Sequence, residues 1–167
     1  VAYRHPVHTM LSGPAAGVTA AQFVSDILKM PDLLTMDMGG TSTDMSLIRG
    51  GQVQVSTQAE VGDFPLMMPV TAIEAIGAGG GSIARMDGPI LKVGPRSAGA
   101  RPGPACYGQG GKEPTLTDAY LVCGYINPDY FLEGRMKLRR DLAEDSMKPI
   151  AEAMGVDVVT AAESCIT

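Results

Sequence analysis

Two carboxylates bracket a run of glycine and hydroxyl residues in Asp37-Met38-Gly39-Gly40-Thr41-Ser42-Thr43-Asp44. Adjacent glycines let backbone N–H groups converge with no Cβ in the way, which is the chemistry of an anion nest. The hydroxyls of Thr41, Ser42 and Thr43 add donors. Asp37 and Asp44 would repel a bare phosphate. They make sense beside one only if a divalent cation lies between, usually through water, or if one of them positions a nucleophilic water. The competing reading is an ordinary Gly-Gly turn with a solvated Asp on each side. A second glycine run, Ile76-Gly77-Ala78-Gly79-Gly80-Gly81-Ser82-Ile83, offers Gly77, Gly79, Gly80, Gly81 and Ser82 as a further anion nest or adenosine-contacting turn, or simply as tight structural turns. It lacks the Lys-Ser/Thr ending of a P-loop and the strand-to-helix spacing of a dinucleotide fingerprint.

Local elements must hold these groups. Ser12 or Gly13 can cap, and Pro14 suits a first helical position, so a helix is predicted over 14–30. Ala16, Ala20, Phe23, Val24, Ile27 and Leu28 form its apolar stripe, with Thr19, Gln22, Ser25, Asp26 and Lys29 opposite. Pro31-Asp32 stops it. Leu33 to Met38 reads as a buried strand ending at Asp37. Asp44–Arg49 and Gln52–Ala59 read as a hairpin around Gly50-Gly51, a pair suited to a primed turn. These elements predict an α/β domain with a mixed sheet.

Eleven of the 21 glycines lie between Gly77 and Gly111. Segment 77–111 is therefore expected to be a Gly/Pro-rich irregular stretch organised by backbone. Its anchors Ile83, Ile90, Leu91, Val93 and Tyr107 argue against a flexible linker. Further on, Thr115 or Thr117 caps a short helix from Asp118 to about Tyr125. A helix over 138–154 is predicted, capped near Asp141, with Leu142, Met147, Ile150, Ala151 and Met154 inward, kinked or divided at Pro149, and stopped by Gly155. Thr160-Ala-Ala-Glu163 has the form of a capping box that opens a last helix.

The 167 residues suffice for one domain with its own core. The sequence begins Val1-Ala2-Tyr3-Arg4-His5, without an initiator Met or a signal-peptide pattern, and ends four residues after its last capping box. The expectation is a fragment truncated at both ends. No apolar run approaches a membrane span. Thirteen basic against 18 acidic residues, a net charge of -5 and the absence of any Lys/Arg block make nucleic acid an unfavoured partner. Three cysteines without CxxC spacing fit neither a disulfide framework nor a zinc site, and a reducing cytoplasm suits them.

Other candidates carry less. His5 and His8 have a spacing that could hold a metal on a turn. Cys106 has no neighbouring base in sequence, which favours a packed thiol over a nucleophile. Asp118 either caps a helix or reaches an active cleft. Met67 and Met68 belong to a partner surface or to core filler.

In combination, Ser12-Gly-Pro-Ala-Ala-Gly17, the Asp37–Asp44 motif, Ile76–Ala84, Val93-Gly-Pro-Arg-Ser-Ala-Gly-Ala100 running into Pro102-Gly-Pro-Ala-Cys-Tyr-Gly108, and Pro114-Thr-Leu-Thr-Asp118 resemble the hydantoinase A/oxoprolinase family over nearly the whole chain. The resemblance implies a domain of the actin-like ATPase (ribonuclease H-like) superfamily, forming about half of a two-domain nucleotide cleft. The other half would be a domain of the same chain, preceding this segment, with a related Asp-x-Gly-Gly-Thr motif. It further implies ATP with Mg2+ or Mn2+, phosphoryl activation of an amide, imide or ketone oxygen, and a B-type partner subunit or region. Hydantoins, 5-oxoproline, acetone and acetophenone are the family's substrate types.

By this resemblance Asp37 belongs to the metal–water shell. Gly39, Gly40 and Thr41 form the phosphate cradle, and Asp44 supports or orients water. Ala72-Ile73-Glu74 departs from the Asp and His that many hydantoinases carry there, which leaves a cyclic amidase and a ketone carboxylase both open. A scaffold or reactivase-like chaperone domain is the non-enzymatic alternative, supported by the long glycine/proline segment. The Asp37/Asp44 pair, for which a scaffold has no need, stands against it.

Overall fold

A computed structural model describes residues 9, 12–61, 64–66 and 68–167. His5, His8 and Met67 lie outside the described residues. The chain forms two compact units, residues 1–37 with 43–76, and residues 38–42 with 77–167.

The first unit opens with α1 (Ser12–Leu28). It ends where Lys29 turns left-handed at φ 57° and the Met30 amide reaches back to the Ser25 carbonyl at 3.1 Å, a Schellman-type closure built on Lys instead of Gly. β1 (Leu33–Met38) and β2 (Thr43–Arg49) follow. Next come β3 (Gln52–Val53), β4 (Val55–Ser56), β5 (Ala59–Val61), β6 (Phe64–Leu66), β7 (Val70–Thr71) and β8 (Glu74–Ile76). β2 is the hub of a four-stranded sheet. It adjoins β1, pairs β3 through Arg49↔Gln52 and pairs β8 through Asp44↔Ala75. Gly50 and Gly51, at φ 59° and 74°, make the primed turn that the sequence predicts.

Three expectations change here. Among the described residues the expected mixed sheet gains no parallel pair, since every pairing whose register is described is antiparallel. The strand expected over 52–59 breaks after Val53, and β4 pairs β7 instead. Finally, the apolar stripe of α1 does not face inward. Phe23 is 66% exposed, and Val24, Ile27 and Leu28 are exposed too. The helix packs through its small and polar side, where Val18 and Ser25 are buried and Gln22 Nε2 donates to the Gly51 carbonyl at 2.8 Å. Leu34, Met36 and Leu47 likewise leave apolar side chains exposed on the sheet.

In the second unit β9 (Ser82–Asp87) and β10 (Ile90–Ser97) form an antiparallel hairpin with Gly88 at φ 59° in its turn. This corrects the expectation of an irregular 77–111. Many of its glycines serve turns between regular elements, and Ile83, Leu91 and Val93 point apolar mass toward the core. A 3-10 turn at Ala105–Tyr107 leads to α2 (Leu116–Val122), α3 (Arg140–Met154) and α4 (Val158–Ile166). The core joins Leu121 and Val122 to Met147, Ile150, Ala161 and Cys165. Burial of each large side chain is worth about 1.5–3 kcal/mol, and Ala143, Ala151, Ala161 and Ala162 give the helices short faces for close approach.

Helix α2 starts at Thr115, with Asp118 closing a capping box. Helix α3 runs uninterrupted through Pro149 and ends at Gly155, φ 67°; its inward face includes Met147, Ile150 and Ala151 as expected. Its cap position is Arg139 rather than Asp141. Helix α4 is capped by Asp157, whose carboxylate accepts from Val159 N and Thr160 N. Thr160 is inside the helix, and its hydroxyl reaches back to Asp157 at 2.6 Å. The local pattern at Thr160–Glu163 was therefore a helix interior, three residues past the true start.

Candidate functional site

Asp37 and Asp44 belong to the first unit. Asp37 is exposed near the end of β1, and Asp44 is half-buried near the start of β2. Both line a cavity of about 160 Å³ with Pro14, Gly17, Val18 and Ala21 of α1. Small residues make the room, and a Cβ added to Gly17 would meet nothing within 4 Å. The polar groups of the wall satisfy one another: Thr35 Oγ1 accepts from Ser46 N at 3.1 Å, and Ser46 Oγ donates to the Ala72 carbonyl at 2.7 Å. Among the described residues neither aspartate makes an ion pair. Glu74 is exposed on β8, opposite Met45.

The loop Gly39–Ser42 belongs to the second unit and is closed by the Gly39 amide on the Ser42 carbonyl at 2.9 Å. The structure brings it against Gly79–Ser82. Gly80 N donates to the Gly39 carbonyl at 2.9 Å and Gly81 N to the Gly40 carbonyl at 2.7 Å. Ser97 Oγ adds a bond to the Gly40 carbonyl at 3.3 Å. A Cβ on Gly79 would lie 2.8 Å from Gly39 O, Gly40 C and Ser42 N, so only glycine permits this backbone approach. Ser82 is buried, and its hydroxyl accepts from Gly79 N at 2.9 Å. Gly77 sits against Pro95, 3.3 Å from where its own Cβ would be. The amides of Gly80 and Gly81 are thus occupied by protein carbonyls, and of the readings open for this run, tight structural turns fit them best.

Gly40, Thr41 and Ser42 differ. Among the described residues their amides donate to no protein acceptor, and a Cβ on Gly40 would meet nothing within 4 Å. Gly40 and Thr41 are exposed. Three consecutive uncommitted amides are donors that an anion could take. Thr43 is buried at the start of β2.

From sequence alone Thr117 is only a candidate helix cap. Its amide and its hydroxyl both donate to the Gly80 carbonyl, each at 2.8 Å. Thr117 is separated from Gly80 by 37 residues, so no local pattern carries this contact. Asp118 is fully buried and accepts from Cys106 N at 2.7 Å, Thr115 N at 3.0 Å, Thr115 Oγ1 at 2.8 Å and Ala105 N at 3.2 Å. It is a cap that also staples the 105–107 turn, not a cleft residue. Burial, together with the Asp118 carboxylate, pushes the Cys106 thiol far above its ordinary range, and Cys106 is a packed thiol.

The hydantoinase/oxoprolinase family model matches residues 1–167. The chain belongs to that family. It is 44% identical over 163 residues to the caprolactamase subunit alpha of Pseudomonas jessenii, covering 96% of this chain and 23% of that one. It is 43% identical over 159 residues to the acetophenone carboxylase gamma subunit of Aromatoleum aromaticum, covering 92% and 22%. The crystal structure of the ATP-dependent caprolactamase from Pseudomonas jessenii superposes with a TM-score of 0.83 at 44% identity, over 93% of this chain and 23% of that chain. This family member thus spans under a quarter of the length of these relatives, which are subunits of ATP-dependent or carboxylating enzymes. Among the described residues no helix is long and apolar enough to cross a membrane.

Proposed function

We propose that these residues supply the phosphate-binding loop and flanking carboxylates of an ATP-dependent enzyme that opens a cyclic amide or imide, of hydantoin or 5-oxoproline type, by phosphoryl activation. The observation that carries this reading is the set of uncommitted amides at Gly40, Thr41 and Ser42, held by Gly79–Gly81, where an added Cβ would lie 2.8 Å from its neighbours. The 44% identity to a caprolactamase subunit favours a cyclic amide as substrate.

An unstrained lactam is a poor electrophile at neutral pH. ATP, when bound, supplies a phosphoryl group that converts the amide oxygen into a leaving group. The chain's own task is positioning and charge stabilisation. The Gly40, Thr41 and Ser42 amides would bind phosphate oxygens, with the Thr41 and Ser42 hydroxyls as further donors and Gly39 shaping the loop. Gly77, Gly79, Gly80, Gly81 and Ser82 would serve the nucleotide through that loop. Among the described residues no group of three or more acidic, His or Cys side chains could hold a metal. A divalent cation, Mg2+ or Mn2+, would accordingly rely on Asp37 together with phosphate and water oxygens, the usual habit of Mg2+. Asp44 would orient water or support that shell. The remaining parts of the reading are an actin-like half-cleft completed by another domain of a longer polypeptide, a B-type partner and a cytoplasmic location.

Ketone carboxylation is the second reading, favoured by the 43% identity to an acetophenone carboxylase subunit. ATP turnover by the full-length protein with its partner separates the two. Stimulation by hydantoin, 5-oxoproline or caprolactam without bicarbonate supports the amidase. A requirement for a ketone with bicarbonate overturns it in favour of the carboxylase. Asp37→Ala should abolish metal-dependent turnover while the fold persists, since it removes an exposed charge and no core volume.

A further inference from the structure

We propose that Thr117 is a positioning residue for the nucleotide, acting through two peptide planes on the Thr41 amide; this rests on the reading of the Gly40–Ser42 amides as a phosphate cradle. A peptide unit is a rigid plane with its carbonyl and amide at opposite ends. The Gly80 carbonyl and the Gly81 amide belong to one such plane. Thr117 grips the carbonyl end with two donors at 2.8 Å, and the amide end donates to the Gly40 carbonyl at 2.7 Å. The Gly40 carbonyl in turn shares its plane with the Thr41 amide, which donates to no protein acceptor among the described residues.

A second relay runs beside the first. Ser82 N donates to the Gly79 carbonyl at 2.9 Å, and the Gly80 amide of that same plane donates to the Gly39 carbonyl at 2.9 Å. The far end of that plane is the Gly40 amide. Each bond in such a chain polarises the next, so the terminal amides become both better oriented and better donors.

The base of the first relay is itself immobile. Thr117 is 6% exposed in the first turn of α2, directly between Leu116 and the buried Asp118. The capping box of Thr115 and Asp118 fixes that turn, and Asp118 ties it to the amides of Ala105 and Cys106. The Gly80 site fits Thr117 so closely that a Cβ there would lie 2.8 Å from Thr117 Oγ1. Thr117 is therefore the point at which the helical core of the second unit sets the orientation of the Gly39–Ser42 loop.

The test uses the full-length protein with its partner subunit. Thr117→Val keeps the branched shape and the backbone bond but deletes the hydroxyl donor, and Thr117→Ser keeps the donor. Thr117→Val should weaken ATP binding and raise the KM for ATP about three- to tenfold, the worth of one hydrogen bond. The KM for the carbonyl substrate should stay at the wild-type value, and Thr117→Ser should restore the ATP value. Should Thr117→Val fail to fold, Gly80→Ala, which pushes the hydroxyl off its carbonyl, should give the same selective loss. Unchanged ATP affinity in a folded Thr117→Val protein overturns the positioning role while leaving the cradle standing. A wild-type protein that binds no ATP overturns the cradle and the positioning role together.

Discussion

The carboxylate of Asp118 accepts a hydrogen bond from the Cys106 amide nitrogen at 2.7 Å, joining the start of α2 to a turn twelve residues earlier. Both residues are fully buried, and no side-chain polar atom among the described buried residues lacks a partner. A carboxylate so placed is stable because four donors replace its water.

Asp118→Ala follows directly from that arrangement. It would leave the amides of Ala105, Cys106 and Thr115 buried without their acceptor, at about 1–3 kcal/mol each. Denaturant titration should show a loss of roughly 3 kcal/mol or more. Asp118→Asn, which keeps one carbonyl oxygen, should lose less. Equal stability of Asp118→Ala and the wild type would remove Asp118 from its structural role.

The three thiols should separate by reactivity. The thiolate is the reacting form, so a raised thiol pKa means less of it at pH 8. Burial, with Cys123 nearby, pushes Cys165 up to about 11. Burial raises Cys123 less, and Arg140 partly offsets the effect of burial and Glu163. Cys106 is pushed up furthest. A disulfide reagent added to native protein at pH 8 should label Cys123 first, and label Cys106 and Cys165 only on unfolding. Raising the pH should speed the Cys123 reaction. Early labelling of Cys106 would contradict its placement in the core.

Glycines 40 and 79 should respond oppositely to a methyl group. Gly40 has open space and no positive φ, so Gly40→Ala should leave the melting temperature level or slightly higher, as replacement at a compatible glycine does. Gly79→Ala drives a Cβ to 2.8 Å from three backbone atoms that cannot rotate away, and should lower it by several degrees. Ligand-free melts of both variants decide the point. A Gly79→Ala protein as stable as wild type would show that the two loops are not packed as described.

What was legible in the sequence was local. The strand Leu33–Met38 falls at its predicted residues because turn residues bound it on both sides, but it is not the buried strand expected, since Leu34, Met36 and Met38 are exposed. Gly50-Gly51 and Gly155 also take the conformations that their positions called for. What was not legible depended on partners distant in sequence. Periodicity identified the apolar stripe of α1 but not which side would meet the sheet, and the smaller side did, leaving Phe23 and Ile27 exposed. Asp157 before Val158 was a visible cap signal, yet Thr160–Glu163 matched a stronger-looking pattern inside the helix. For the site, Asp37, Asp44 and the Gly39–Ser42 loop were picked out by residue type. The supporting role of Gly79–Gly81 and the Thr117 contact needed the fold, since composition cannot distinguish glycine that admits a ligand from glycine that admits another loop.

In the proposed function the Gly40–Ser42 amides bind ATP phosphates. The most direct test is ATP titration of the full-length protein with Mg2+, wild type against Gly40→Val, with melts run in the absence of ligand so that binding does not mask stability. At position 40 the new side chain meets no protein atom within 4 Å of its Cβ and no positive φ, so the ligand-free melt should move little. ATP affinity should fall about tenfold or more, because a branched side chain now stands where phosphate approaches. A Gly40→Val protein that binds ATP as tightly as wild type would contradict the cradle and return Asp37–Asp44 to a structural turn between two solvated carboxylates.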